Sequence, residues 1–177
     1  YLQHKQYSFV NYPNMDAFIN WHYNCCISIM KMKTINTSFT LKGKGLHTGS
    51  EITMKMIPSN DGKITFIRNG TEIEANYTNV VSTQYAVTLG KDGHTISTVE
   101  HLMAVLHALR IGSLKIEIDG PEVPILDGSG KMLLDAFLSA GVKNINRKMV
   151  HFVVKEPFEV SMEDKYMLFL PSDNFEV

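Results

Sequence analysis

The segment from Ser97 to Leu109 constrains this chain more than any other. Val99, Leu102, Met103, Leu106 and Leu109 recur at helical spacing and form one wide apolar stripe. Ser97 stands three residues before Glu100, the spacing of a capping box, and predicts a helix start there. Winding the segment at about 100° per residue puts His101 opposite the stripe, beside Ala104, Val105 and Ala108. A face turned to water would carry Lys, Glu or Gln instead. Small apolar residues around one histidine predict that this second face also meets protein at close range.

Glu100 and His101 admit two readings. In one, Glu100 caps the helix by bonding back to the Ser97 backbone, and His101 is an ordinary buried histidine with a partner. In the other they belong to a metal site, since imidazole is the commonest zinc ligand and an adjacent carboxylate can activate water. Catalytic zinc needs three protein ligands. A second ligand one helical turn away is missing, because position 105 is valine and position 97 is serine.

The 177 residues are 44% hydrophobic and 20% charged, enough for one full domain and part of another. A net charge of -1 gives no basic field for nucleic acid or an anionic membrane. No apolar run is long enough to span a bilayer, and the stretch near Cys26 lacks a signal-peptide cleavage site. The two cysteines, adjacent at Cys25 and Cys26, form neither a disulfide framework nor a CxxC knuckle. A soluble, cytoplasmic protein is expected.

Residues 1–32 read as an extension of doubtful origin, rich in aromatics, Asn and His without a sustained period, and Met30 or Met32 offers a natural start. His4, His22, Cys25 and Cys26 lie in it, and vicinal cysteines cannot easily share a tetrahedral ion. Short strands follow at Thr34–Lys42, Glu51–Ile57, Lys63–Ile67, Glu72–Ala75, Asn79–Ser82 and Ala86–Gly90, with a hairpin signal at Asn69-Gly70. After the helix come a strand over Ser113–Ile118 and a two-proline loop. A second helix, capped by Asp127 or Ser129, runs to about Ala140 and is ended by Gly141. Lys143–Lys148 reads as a polar linker, and strands resume at Val150–Lys155, Phe158–Ser161 and Tyr166–Leu170. The expected fold is α+β: a two-layer sandwich of a mostly antiparallel sheet with two helices over residues 33–145. Residues 149–177 would open a second, similar domain that is begun and not finished.

Three motifs, Gly45-Leu-His47-Thr48-Gly49, Ser97-Thr-Val-Glu100-His101-Leu-Met-Ala and Asp119-Gly-Pro-Glu-Val-Pro-Ile-Leu-Asp127-Gly-Ser129, occur in this order. Together they resemble the UDP-3-O-acyl-N-acetylglucosamine deacetylases (the LpxC family), zinc enzymes of the committed step in lipid A synthesis. The likeness covers roughly residues 33–177. It implies two similar α+β domains whose helix layers pack around the active site, so that the second domain would cover the Glu100/His101 face. His101 then matches a zinc ligand and Glu100 the general base. His47 and Thr48 match the lining of the site, although His47 also reads as a turn histidine between glycines. The two-proline loop matches a structural segment, and Tyr85, Ala86 and Val87 fall where the acyl chain is contacted. The implied cofactor is Zn²⁺ and the implied substrate an acylated UDP-sugar that loses its N-acetyl group.

One departure is plain. The family's remaining zinc ligands lie on a His-x-x-x-Asp helix, and this chain has none. His47-x-x-x-Glu51 runs from a turn into a strand with Gly49 between, so it cannot replace that helix. The 177-residue chain is therefore expected to be inactive alone. Two alternatives stand beside this reading: the N-terminal part of a deacetylase fused to a hydroxyacyl-carrier-protein dehydratase, and a non-catalytic α+β binding module.

Overall fold

Along Glu51–Pro58 every second side chain is apolar, so Ile52, Met54 and Met56 share one face of a strand and Thr53 and Lys55 the other. This strand, β3, anchors a five-stranded sheet. In the computed structural model, which describes residues 28–151, 153–162, 164–173 and 176, its neighbours are β2 (Phe39–Lys44) and β9 (Leu114–Ile118). Beyond β9 lie β4 (Ile64–Arg68) and β5 (Thr71–Glu74), giving the order β2-β3-β9-β4-β5. All pairs are antiparallel except β4 with β9. The Asn69-Gly70 hairpin forms as expected: both residues take positive φ (49° and 81°), and Arg68 pairs with Thr71 across the turn.

Two helices, α1 (Glu100–Ala108) and α2 (Lys131–Ala140), cover the apolar face. Leu102, Val105 and Leu106 of α1 and Leu133 and Phe137 of α2 join Ile52, Met54, Phe66 and Ile116 in one buried cluster. The Phe137 ring meets Phe39 edge-on at 5.0 Å and 88°. Gly141, at φ 72°, stops α2 where the sequence pattern puts its end, and the Ser129 hydroxyl accepts the Lys131 N–H just ahead of its first turn. The opposite face of the sheet is a charged lattice of exposed or half-exposed pairs, Lys44–Glu51, Lys55–Glu117, Lys63–Glu74 and Lys115–Glu72. This is the expected α+β sandwich. A small antiparallel sheet, β6 (Val80–Ser82), β7 (Thr88–Lys91) and β8 (His94–Ile96), leads into α1.

Two expectations give way. Thr34–Lys42 is not one strand: β1 (Ser28–Ile35) ends before Asn36, whose N–H bonds the Gly141 carbonyl, and β2 starts at Phe39. The Thr37 hydroxyl also donates to the Ala140 carbonyl, so Asn36 and Thr37 turn the chain over the end of α2. Nor is Lys143–Lys148 a linker. It lies within β10 (Val142–His151), which pairs with β1 in a two-stranded sheet. Among residues 143–148 only Ile145 is buried, which is why the strand reads as polar.

Contacts gather Lys31–Met149 into one unit. In the other, β11 (Phe158–Met162) and β12 (Lys165–Phe169) form an antiparallel hairpin with the Phe158 and Phe169 rings stacked at 4.5 Å. Tyr166, Met167 and Leu168 there are more than half exposed. The leading residues 1–27, with His4, His22, Cys25 and Cys26, lie outside the described residues, and β1 already begins at Ser28.

Candidate functional site

The start of α1 is built differently from a capping box. Thr98 takes a positive φ of 58°, which turns the chain between Ser97 and the helix, and Val99 occupies the N-cap position without a side-chain cap. Ser97 cannot then cap. Its N–H bonds the Pro121 carbonyl, its carbonyl accepts the Val123 N–H, and its hydroxyl accepts from Thr88. The Glu100 carboxylate, freed from the reciprocal half of a capping box, accepts the Val87 N–H at 3.1 Å through Oε2. The Val99 N–H points back to the Val87 carbonyl. Val87 is thereby held against the helix start through both its N–H and its carbonyl.

His101 is half-buried, and no described residue offers its imidazole a hydrogen bond. Ala104 and Ala108, on the same side of α1, are exposed, whereas Val105, assigned to that side from the sequence, is buried in the domain's own core. Tyr85 is 89% exposed and takes a positive φ of 63°, a strained conformation for a bulky side chain. Ala86 beside it is buried.

The loop carrying His47 and Thr48 is tied down by a residue the motif reading passed over. Glu122, in the two-proline segment, is 1% exposed. Its carboxylate accepts the His47 N–H (3.0 and 3.2 Å), the Thr48 N–H (3.0 Å), the Thr48 hydroxyl (3.0 Å) and the Thr98 hydroxyl (2.9 Å). Burial pushes the carboxyl upward, but the two backbone N–H groups and the two threonine hydroxyls together outweigh it and hold its pKa below the usual glutamate value. Gly45 is required here, because a Cβ would run into the Glu122 carboxylate and the Thr48 hydroxyl. The signal was available: an acidic residue between prolines in an apolar loop needs donors if it is buried. The His47 residue itself is exposed.

Glu122 and the Val87 peptide thus gather His47, Thr48, Glu100 and Val87 around the first turn of α1. Among the described residues no group of three or more His, Cys, Asp or Glu could hold a metal ion. His101 is a fitting zinc donor in kind, but the described residues do not complete a zinc site.

These features define a class: a two-layer α+β domain that sets a carboxylate, and an imidazole without a hydrogen-bond partner among the described residues, next to each other in sequence at a helix start. The sequence pattern of the UDP-3-O-acyl N-acetylglycosamine deacetylase (LpxC) family matches residues 32–177, and the chain belongs to that family. It is 39% identical over 150 residues to the UDP-3-O-acyl-N-acetylglucosamine deacetylase of Geotalea uraniireducens (strain Rf4), covering 82% of this chain and 49% of the relative. The enzyme of the same name from Aquifex aeolicus (strain VF5) is 40% identical over 146 residues, covering 82% of this chain and 51% of the relative. The one from Leptospira biflexa serovar Patoc is 36% identical over 157 residues, covering 85% and 52%. The chain spans about half the length of the curated relatives it matches. No helix among the described residues is long and apolar enough to cross a membrane.

Proposed function

We propose that this chain carries the first domain of a zinc-dependent amidohydrolase that removes the N-acetyl group from UDP-3-O-acyl-N-acetylglucosamine in lipid A biosynthesis, a cytoplasmic step. The observation that carries the proposal is the His101 imidazole, without a hydrogen-bond partner among the described residues, next to a carboxylate that spends one oxygen on a backbone N–H. Relatives named for that deacetylation support it. Amide hydrolysis needs a water stripped of a proton and a proton returned to the departing amine. Glu100 is the group that takes the proton: the Val87 N–H fixes its position, and among the described residues no hydrogen bond engages its other oxygen. His101 serves as one zinc ligand, with the remaining donors outside the described residues. Zinc, once held, supplies polarisation of the acetyl carbonyl.

Substrate binding falls to the rim. His47 and Thr48 sit on the clamped loop, suited to the polar sugar nucleotide. Val87, whose N–H anchors the carboxylate, and Tyr85 two residues before it offer apolar surface to the acyl chain. Residues 33–145 form this domain and residues 149–177 open a second one of the same kind. That second domain packs on the His101, Ala104 and Ala108 face of α1, where exposed alanines leave room for close approach.

The test uses the whole protein. His101→Ala is expected to lower its zinc content, measured by metal analysis after gel filtration. Glu100→Gln is expected to keep zinc and lose about 10²–10⁴-fold in deacetylation rate. Loss of thermal stability alone in both variants, with zinc and turnover otherwise retained, would return the pair to capping and core roles.

A further inference from the structure

We infer that Glu122 is a positioning residue: its carboxylate binds the His47–Thr48 loop and Thr98 to one point and so fixes that loop against the helix start bearing Glu100 and His101. This deepens the reading above, on which the catalytic meaning of the site rests.

The argument begins with capacity. An ionised carboxylate offers about four lone-pair positions. Four donors fill them here: the His47 and Thr48 N–H groups and the Thr48 and Thr98 hydroxyls. Nothing remains for a substrate, and with 1% exposure Glu122 could not meet one. Whatever it does for the site, it does through the groups it holds.

Those groups come from two separate stretches, more than seventy and more than twenty residues away in sequence. Both of its oxygens take part in holding the loop, and Oε1 also takes the Thr98 hydroxyl. Thr98 is a β-branched residue at φ 58°, a left-handed conformation that L-residues with branched side chains rarely adopt. It precedes Glu100 by two positions and His101 by three, so its backbone angle aims the helix entry. The bond to Glu122 helps keep it there. No ion pair compensates the buried charge among the described residues, so hydrogen bonds alone do so. A buried charge satisfied only when all four donors are in place ties the position of each donor to the others. Ser97 adds a single backbone bridge to the Glu122 segment: its N–H bonds the Pro121 carbonyl and its carbonyl accepts the Val123 N–H.

The test is nuclear magnetic resonance on the isotope-labelled 177-residue chain, with Glu122→Gln and Thr98→Val. Glutamine turns an NH₂ toward groups that are all donors. Valine keeps the shape of Thr98 and deletes only the helix-side arm. In Glu122→Gln, amide exchange at His47 and Thr48 is expected to rise at least about tenfold while the amides of β3 and β9 keep their protection. In Thr98→Val the His47 and Thr48 amides stay protected, while the Glu100 amide and the His101 ring resonances shift. If Glu122→Gln fails to fold, Thr98→Val decides alone. Unmoved Glu100 and His101 resonances in Thr98→Val would overturn the inference. So would exchange that rises equally across the β3–β9 core in Glu122→Gln, which would make Glu122 a general stabiliser. No readout involves zinc or substrate, so failure of the deacetylase reading would leave this result standing, and the reverse.

Discussion

At the scale of single residues, the chemistry turns on which carboxylates are spent and which are left open. Glu122 is fully spent and Glu100 half spent. The difference has a consequence in pH. Hydrogen bonds hold the folded-state pKa of Glu122 below its unfolded value, so the group adds stability at pH above the free value, and that share is lost as pH falls through the lowered one. Unfolding free energy is thus expected to drop on the acid side of about pH 4.3, the free-glutamate value. Asp127, lowered chiefly by the Ser129 hydroxyl, titrates in the same limb. Subtracting the urea-denaturation profile of Glu122→Gln from that of the parent isolates the buried group. A difference that stays flat with pH would mean that the clamp does not depend on ionisation. Of Glu100 and Glu122, the sequence pattern singled out only Glu100, which sits beside a histidine at a helix start. Glu122 was hidden, since its role lies in donors that are brought to it only by the fold.

At the scale of elements, alternation and turn chemistry were readable where an element has one wet and one dry face. Ile52, Met54 and Met56 made β3 plain, and Asn69-Gly70 made its hairpin plain. What misled was polarity without context. Lys143–Lys148 has little to bury because β10 pairs with β1 alone, and Ser97 resembles a cap because the turn at Thr98 is invisible in the residue types. In α2 the readable face is the buried one. Phe137 has no exposure and packs edge-on against Phe39, so Phe137→Ala is expected to cost about 3–5 kcal/mol in urea denaturation. Leu138, one position on, is 56% exposed, and Leu138→Ala should stay within about 0.5 kcal/mol. Equal costs at the two positions would mean that the helix packs on a face other than the one described.

At the scale of the whole molecule, the two outer surfaces of the sandwich are unlike. The sheet side carries cross-strand ion pairs on β2, β3, β4, β5 and β9 or their flanking turns, the surface water favours. The helix side shows Ala104 and Ala108 on α1 and Met132 and Leu138 on α2, with Lys131 and Asp135 the charged pair among them. Alanine permits backbones to approach closely, and a bulky charge at the same position forbids it. Ala104→Glu and Ala108→Glu should therefore change the stability of this chain by no more than about 0.7 kcal/mol each, the range of helix propensity. On the proposed function, the same changes in the whole protein are expected to reduce zinc content and deacetylation together, because a proposed second layer that cannot seat here would not bring its ligands to His101. Thr40→Glu, on the sheet's wet face, is the control and should alter neither. Retention of zinc and full turnover by both alanine variants would count against the proposed seating of a second domain on this face of α1.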